Sequence, residues 1–386
     1  MDLSFTADEE AFAEEVRAWL VANLDLPPRF TSLADEVAWG RAWQEKLAAG
    51  RWVGIHWPVE YGGRGASPVE VAIFNMEYAR SRALQPVNRV GINLAGPTLL
   101  AHGTPEQRQR FLPKILTAEE LWCQLFSEPD AGSDLASLQT RAERVEGGWR
   151  LSGQKVWTSY AQFARWGICL ARTDPDAPRH QGISYLVVDM QADGIEVRPL
   201  VQITAEAEFN EVFLDEVFVP DDHLVGDVHR GWGVANTTLA HERGTSFPFK
   251  EQVVHEVYLD ELYALAGREG VLDDVEISDD LAQAFVELRV LRLHNWRTLS
   301  RLGRGIAPGP ESSIVKMAWT TMTQHLSEVA LDVVGDAAPL WKGAHENPGD
   351  GVWQRQWLWS KAASIAGGTS EVQRTIIGDR MLGLPR

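Results

Sequence analysis

The spacing of apolar positions divides the chain into a helical opening, a strand-rich middle and a helical close. Phe12, Val16, Trp19 and Leu20, with Asn23 continuing the interval, fall at helical spacing behind Thr6-Ala7-Asp8-Glu9. That tetrapeptide is a capping box, in which a hydroxyl and a carboxylate satisfy the first free N–H groups of a helix. Trp39, Trp43 and Leu47 repeat every fourth residue, and Gly50 follows as a stop. Ser67-Pro68-Val69-Glu70 and Thr104-Pro105-Glu106-Gln107 each set a capping side chain, a proline at the first helical position and an acid or amide at the third. The tract from Trp57 to Gly65, with three glycines and a proline, reads as loop.

From about residue 121 to 229 the period shortens to two. Gly147-Gly148 between short extended runs predicts a hairpin over Val145–Leu151. Ile183–Asp189 reads as a largely buried strand, and Ile195, Val197, Pro199 and Val201 alternate as on a half-buried one. Phe209 to Val219 supplies one or two more. Short strands at this spacing predict an antiparallel sheet forming a barrel or sandwich. After Gly231 the helical period returns over 232–266, 279–303, 312–335 and 352–381, with 304–310 as a connector. The expected class is α+β: an N-terminal helical domain (1–120), a central antiparallel β domain (121–229) and a C-terminal helical bundle (230–386).

Composition changes this picture little. A chain of 386 residues with 45% hydrophobic and 23% charged content suits two or three packed units of an ordinary globular protein. The formal charge of −18 argues against nucleic acid or an anionic membrane as main partner, while leaving room for a local basic pocket. No apolar run has the length of a membrane span, and the first ten residues lack the basic and apolar regions of a secretion signal. A cytoplasmic location is expected. Cys123 and Cys169 lack CxxC spacing and read as buried thiols, and the histidines show no metal-ligand spacing, so no metal site is expected. The 16 tryptophans read mainly as packing residues, some suited to border a flat ligand.

Three tracts have chemistry to offer. Ser127-Glu128-Pro129-Asp130-Ala131-Gly132-Ser133-Asp134 follows the apolar Leu121–Phe126. Such a loop can bring backbone N–H groups against a phosphate or a flavin edge; taken alone, a surface turn with Asx and Ser caps is the simpler reading. Gly153-Gln154-Lys155-Val156-Trp157-Thr158-Ser159 could place an indole over a planar cofactor with a hydroxyl at its edge, or merely end a strand on a core Trp. Ala240-His241-Glu242-Arg243-Gly244 carries an acid beside an arginine on a predicted helix, ordinarily a solvated pair.

In combination and order these tracts resemble the acyl-CoA dehydrogenase family. Pro58-Val59-Glu60-Tyr61-Gly62-Gly63 and Gly367-Gly368-Thr369-Ser370-Glu371-Val372-Gln373-Arg374 complete the set, and the likeness runs from end to end. The resemblance implies helical, β and four-helix-bundle domains and FAD as cofactor. Gln124, Phe126, Ser127, Gly132 and Ser133 would line the flavin and pyrophosphate, with Ser133 also able to face the acyl-CoA. Trp157 would pack beside the isoalloxazine, Ser159 would hydrogen-bond near N5, and Gly368, Thr369 and Ser370 would approach the phosphates. Much of the family carries its base as the Glu of a Tyr-Glu-Gly-Thr motif. Here Ala366-Gly367-Gly368-Thr369 stands in its place. A subset that includes isovaleryl-CoA and long-chain acyl-CoA dehydrogenases instead carries a Glu before an Arg on the first long bundle helix. Glu242-Arg243 fits that description, with Glu242 as base, Arg243 near the substrate and the Gly367 N–H polarising the thioester carbonyl.

The family's Arg-x-x-Phe-Gly tract, which serves FAD in a neighbouring subunit, is missing from Tyr258–Gly270, and its Gln-x-x-Gly-Gly tract reads Asp332-Val333-Val334-Gly335-Asp336. Some bacterial members with altered tracts work as heteromers with a second, related subunit. The expected partners are therefore an acyl-CoA, an electron-transfer flavoprotein, and either identical or related subunits. The alternatives are an oxidase passing electrons to O₂ and a non-catalytic or FAD-sharing subunit of a heteromer.

Overall fold

The computed structural model describes residues 4–242, 246–306 and 309–385, without the side chains of 242 and 246–248. Among the described residues five α-helices come first: α1 (Ala7–Asn23), α2 (Leu33–Ala49), α3 (Pro68–Arg80), α4 (Gly96–His102) and α5 (Pro105–Leu116). The boxes at Thr6, Ser67 and Thr104 close in both directions, hydroxyl to the third N–H and acid or amide back to the cap. Gly50 ends α2 as expected. The Trp57–Gly65 loop contains one 3₁₀ turn, Val59–Tyr61.

Eight strands follow among the described residues: β1 (Trp122–Leu125), β2 (Arg141–Val145), β3 (Gly148–Ser159), β4 (Trp166–Arg172), β5 (Ile183–Asp189), β6 (Ile195–Leu200), β7 (Phe209–Pro220) and β8 (Leu224–Val225). They form one sheet in the order β6-β7-β3-β2-β4-β5-β8, with β1 beside β4. Pairing is mostly antiparallel, but β1 runs parallel to β4 and β2 touches β4 in parallel at Arg141–Arg172. The β2–β3 hairpin turns at Gly147, whose φ of +74° suits a residue without Cβ. β5 is buried on both faces, as its largely apolar run predicts. β6 alternates only as far as Val197; Pro199 is exposed, and Val201 lies beyond the strand end at 77% exposure.

The close of the chain comprises α6 (Gly231–Glu242), α7 (Ser246–Glu269), α8 (Val275–Leu302), α9 (Ser312–Val334), α10 (Val352–Ser360) and α11 (Ser370–Ile376). The run expected at 352–381 is thus broken. After α10 comes a 3₁₀ turn, Lys361–Ser364, and two glycines of positive φ precede α11.

These elements gather into two compact units. One comprises Met1–Asp25, Ser67–Ala83 and Arg243–Arg386; the other comprises Leu26–Ala66 and Leu84–Glu242. In the first, α7 to α10 share a core built on Leu262, Leu288, Trp319, Leu326 and Trp353, while α1 and α3 pack Ala13 and Ile73 against Phe249 and Leu299. In the second, the sheet buries Leu125, Leu151, Ala171, Leu186 and Val212 together with both cysteines, which are free thiols. No helix among the described residues is long and apolar enough to cross a membrane.

Candidate active site

In the sheet-bearing unit, β1 presents Gln124 opposite Ile168 of β4 and leads to the buried Phe126, whose ring meets Tyr185 edge-on at 5.9 Å. The chain then turns sharply. Glu128 and Ala131 exchange backbone hydrogen bonds of 3.1 Å, leaving Gly132 and Ser133 exposed; a Cβ on Gly132 would meet nothing within 4 Å. The Ser127 carbonyl accepts the Val156 N–H at 2.9 Å, which ties this loop to the end of β3.

That strand end is irregular. The β3–β7 register slips between Lys155 and Thr158, and Trp157 within the slip has φ +59°. Left-handed backbone is costly for a bulky residue and recurs at ligand sites. The bulge turns the indole outward to 62% exposure, edge-on to Phe209 at 6.1 Å. Ser159 closes the strand opposite Phe209. The sequence-predicted loop and Trp tract are therefore neighbours, and the indole is an open face rather than core packing.

α6 is held by hydroxyls. Thr237 Oγ1 bonds His102 Nε2 at 2.8 Å, and Thr238 Oγ1 lies 2.8 Å from Thr98 Oγ1 and 3.2 Å from the Tyr185 hydroxyl. Thr98 in turn donates to the Leu94 carbonyl at 2.8 Å. At its start Gly231 lies so close to the Ser184–Tyr185 backbone that a Cβ would sit 2.4 Å from the Ser184 carbonyl carbon. Glu242 is the last residue of this anchored helix; its side chain and all of Arg243 lie outside the described residues.

Two imidazoles border that helix end. Burial lowers His56 to about 4, with repulsion from His241 adding to it, and burial also lowers His241. His56 keeps a solvent-exposed edge, which discounts the size of its shift but not the direction. A folded pKa below the unfolded one makes the contribution to stability intact above the unfolded value and lost as pH falls towards 4. An NMR titration should place the His56 midpoint below the ordinary histidine value; a midpoint at or above that value would overturn this.

In the helical unit, Gly367 and Gly368 have φ of +66° and +94°, and Thr369 caps α11 by accepting the Val372 N–H. The buried Gln373 amide donates to the carbonyls of Gly367 and Gly368 at 3.2 and 3.3 Å, fixing the turn from inside. Lys316 on α9 donates to Thr320 Oγ1 at 3.0 Å and to the Ala363 carbonyl, and partial burial lowers it to about 8. Its Cε would lie 3.8 Å from a Cβ on Gly367. Asp332, where the family has its Gln tract, is pushed up by burial and then by Asp280, Glu276 and Glu328. Sequence reasoning missed Lys316 and gave Gln373, inside the quoted glycine tract, no role of its own. The one available signal was a lysine inside the apolar run Ile314-Val315-Lys316-Met317-Ala318-Trp319. Among the described residues no cluster of three or more His, Cys, Asp or Glu could hold a metal ion.

Three sequence-family models match in order: acyl-CoA dehydrogenase N-terminal domain over residues 6–119, middle domain over 123–217 and C-terminal domain over 229–382. The chain belongs to the acyl-CoA dehydrogenase family. Among relatives of this dehydrogenase, acyl-CoA dehydrogenase IpdE1 of Mycobacterium tuberculosis is 42% identical, covering 98% of each chain. Among solved structures, the Tcur3481-Tcur3483 steroid ACAD superposes with a TM-score of 0.88 at 29% identity, over 100% of both chains. The ChsE4-ChsE5 complex from Mycobacterium tuberculosis gives 0.85 at 30%, also over 100% of both.

The family is built on flavin, and the residues present fit one. The outward Trp157 offers a ring-sized apolar face, and the open side of Gly132 lets backbone approach a ligand closely.

Proposed function

We propose that this dehydrogenase catalyses FAD-dependent α,β-dehydrogenation of an acyl-CoA thioester to the trans-2-enoyl-CoA, with Glu242 removing the α-proton. The observation that carries the reading is a paired one. Gly367, with φ +66° and no side chain, stands where much of the family keeps its base, while an acid ends α6 at Glu242. The α-C–H is a very weak acid, so a carboxylate is needed, and so is polarisation of the thioester oxygen as the enolate develops. The Gly367 N–H supplies that polarisation. Desolvation by bound substrate raises Glu242 towards the working pH, and Arg243 beside it contacts the substrate.

FAD, when bound, supplies the acceptor for the β-hydride. Trp157 would cover one face of the ring system and Ser159 would bond its edge. Gln124, Phe126, Ser127, Gly132 and Ser133 would line the flavin and pyrophosphate, and Gly368, Thr369 and Ser370 would hold phosphate oxygens. The altered Arg and Gln tracts, with the acidic surroundings of Asp332, support a heteromer with a related subunit. So does the likeness to two proteins described by paired chain names. Electrons then pass to an electron-transfer flavoprotein.

The test is an anaerobic titration of FAD-loaded protein with short, branched, long and steroid-side-chain acyl-CoAs. The last class is favoured by the similarity to a steroid ACAD. Bleaching of the flavin band by one class is expected. Loaded protein that no thioester bleaches, with or without the partner subunit, would sink the proposal.

A further inference from the structure

The loop from Ser127 to Leu138 is closed at its base by a charge pair buried in the sheet. Lys155, in the middle of β3, has no exposed side-chain surface, and Glu128 has 8%. The ammonium donates to the Phe126 carbonyl at 3.1 Å, to Glu128 Oε1 at 2.8 Å and to the Leu170 carbonyl at 2.8 Å. All three of its protons are used. The Glu128 carboxylate also accepts the N–H groups of Gln139 at 2.6 Å and Thr140 at 2.9 Å. Desolvation pushes this carboxyl up, but the Lys155 charge and these bonds outweigh it and hold it below its ordinary value.

The topology of the pair separates it from a generic buried ion pair. Phe126 and Glu128 stand where the loop begins, and Gln139 and Thr140 where it ends. Lys155 lies two residues before the Trp157 bulge, and the Val156 N–H between them donates to Ser127. One cluster therefore sets the span of the loop bearing Ser127, Gly132 and Ser133, and the register from which Trp157 turns out. Apolar residues of similar volume often replace a buried pair at no cost in stability, so stability alone does not explain it.

We propose that Glu128 and Lys155 are positioning residues for the flavin, fixing the 127–138 loop and the Trp157 bulge in the spacing that receives it. This rests on the flavin reading above. The test compares full-length wild type with the double variant E128Q/K155M, which removes both charges and leaves no lone buried ion. Two readouts are needed: the melting temperature of the apoprotein and the FAD dissociation constant, followed by quenching of flavin fluorescence.

An apoprotein melting within a few degrees of wild type, with an FAD dissociation constant raised at least tenfold, is expected. A folded double variant whose affinity stays within twofold of wild type would overturn the proposal, because a merely structural pair moves only the melting temperature. If that variant does not fold, Q139P decides. Gln139 is exposed and the ψ of Leu138, 143°, suits a residue before proline; the substitution removes the Gln139 N–H that Glu128 accepts and leaves that of Thr140. A folded Q139P protein should bind FAD several-fold more weakly; unchanged affinity would again overturn the proposal. Wild-type protein that takes up no FAD, with or without the partner subunit, would refute the flavin reading itself, and this inference with it.

Discussion

Glu242→Gln should retain flavin and fold while turnover with the best acyl-CoA falls by about 10²–10⁴-fold, the range over which a positioned base accelerates proton transfer. Glutamine keeps the size and hydrogen-bonding capacity of the side chain but cannot take a proton at neutral pH. The loss should therefore fall on kcat and on the anaerobic rate of flavin bleaching, with substrate affinity little changed. The substitution lies at the end of α6, downstream of the Thr98–Thr238–Tyr185 hydroxyl chain that anchors the helix, and leaves that chain intact. His241, the preceding residue, is held below its ordinary value by burial. It is the adjacent titratable group along the chain, and His241→Leu added to E242Q should remove any residual rate that rises with pH. Stopped-flow reduction of E242Q protein at more than a tenth of the wild-type rate would exclude Glu242 as the base.

Local chemistry was the part of the fold legible in the sequence. The boxes at Thr6, Ser67 and Thr104 act over three residues, and each formed as written. The Gly147 turn acts over two. The parallel β1–β4 pairing joins residues more than 40 apart and leaves no periodic trace, because each strand alone reads equally well as antiparallel. The same limit hid Glu128–Lys155, since neither residue announces a partner 27 positions away. Trp157 was visible as a candidate, but its left-handed backbone was not: nothing about a tryptophan favours φ +59°, so tertiary pairing with β7 imposes it. The break before α11 was legible in Gly367-Gly368 and was overridden by the helical period on either side. The reach of Glu242 itself could be argued only from order along the chain and from the glycine at 367.

Moving the base should fail. E242Q/G367E returns a carboxylate to the position the wider family uses, yet its turnover is expected to stay within about tenfold of E242Q alone. Two features of this chain oppose the relocated acid. Gly367 has φ +66°, a conformation costing a residue with Cβ roughly 1–2 kcal/mol, so the double variant should also melt several degrees lower. The second feature is Lys316, whose Cε stands 3.8 Å from the point where the new Cβ would be. A Glu side chain at 367 therefore starts beside the Lys316 stem, and an ammonium within about 4–6 Å of a carboxylate lowers it by about 1–3 units, which weakens it as a base. Lys316 meanwhile holds the Ala363 carbonyl and Thr320, so it does not simply swing away. Adding K316M should then recover rate over the double variant, whereas removing an uninvolved lysine should not. Recovery of E242Q/G367E to near wild-type turnover would show that Lys316 leaves the 367 position free to hold a working base, and the preference for Glu242 would need another cause.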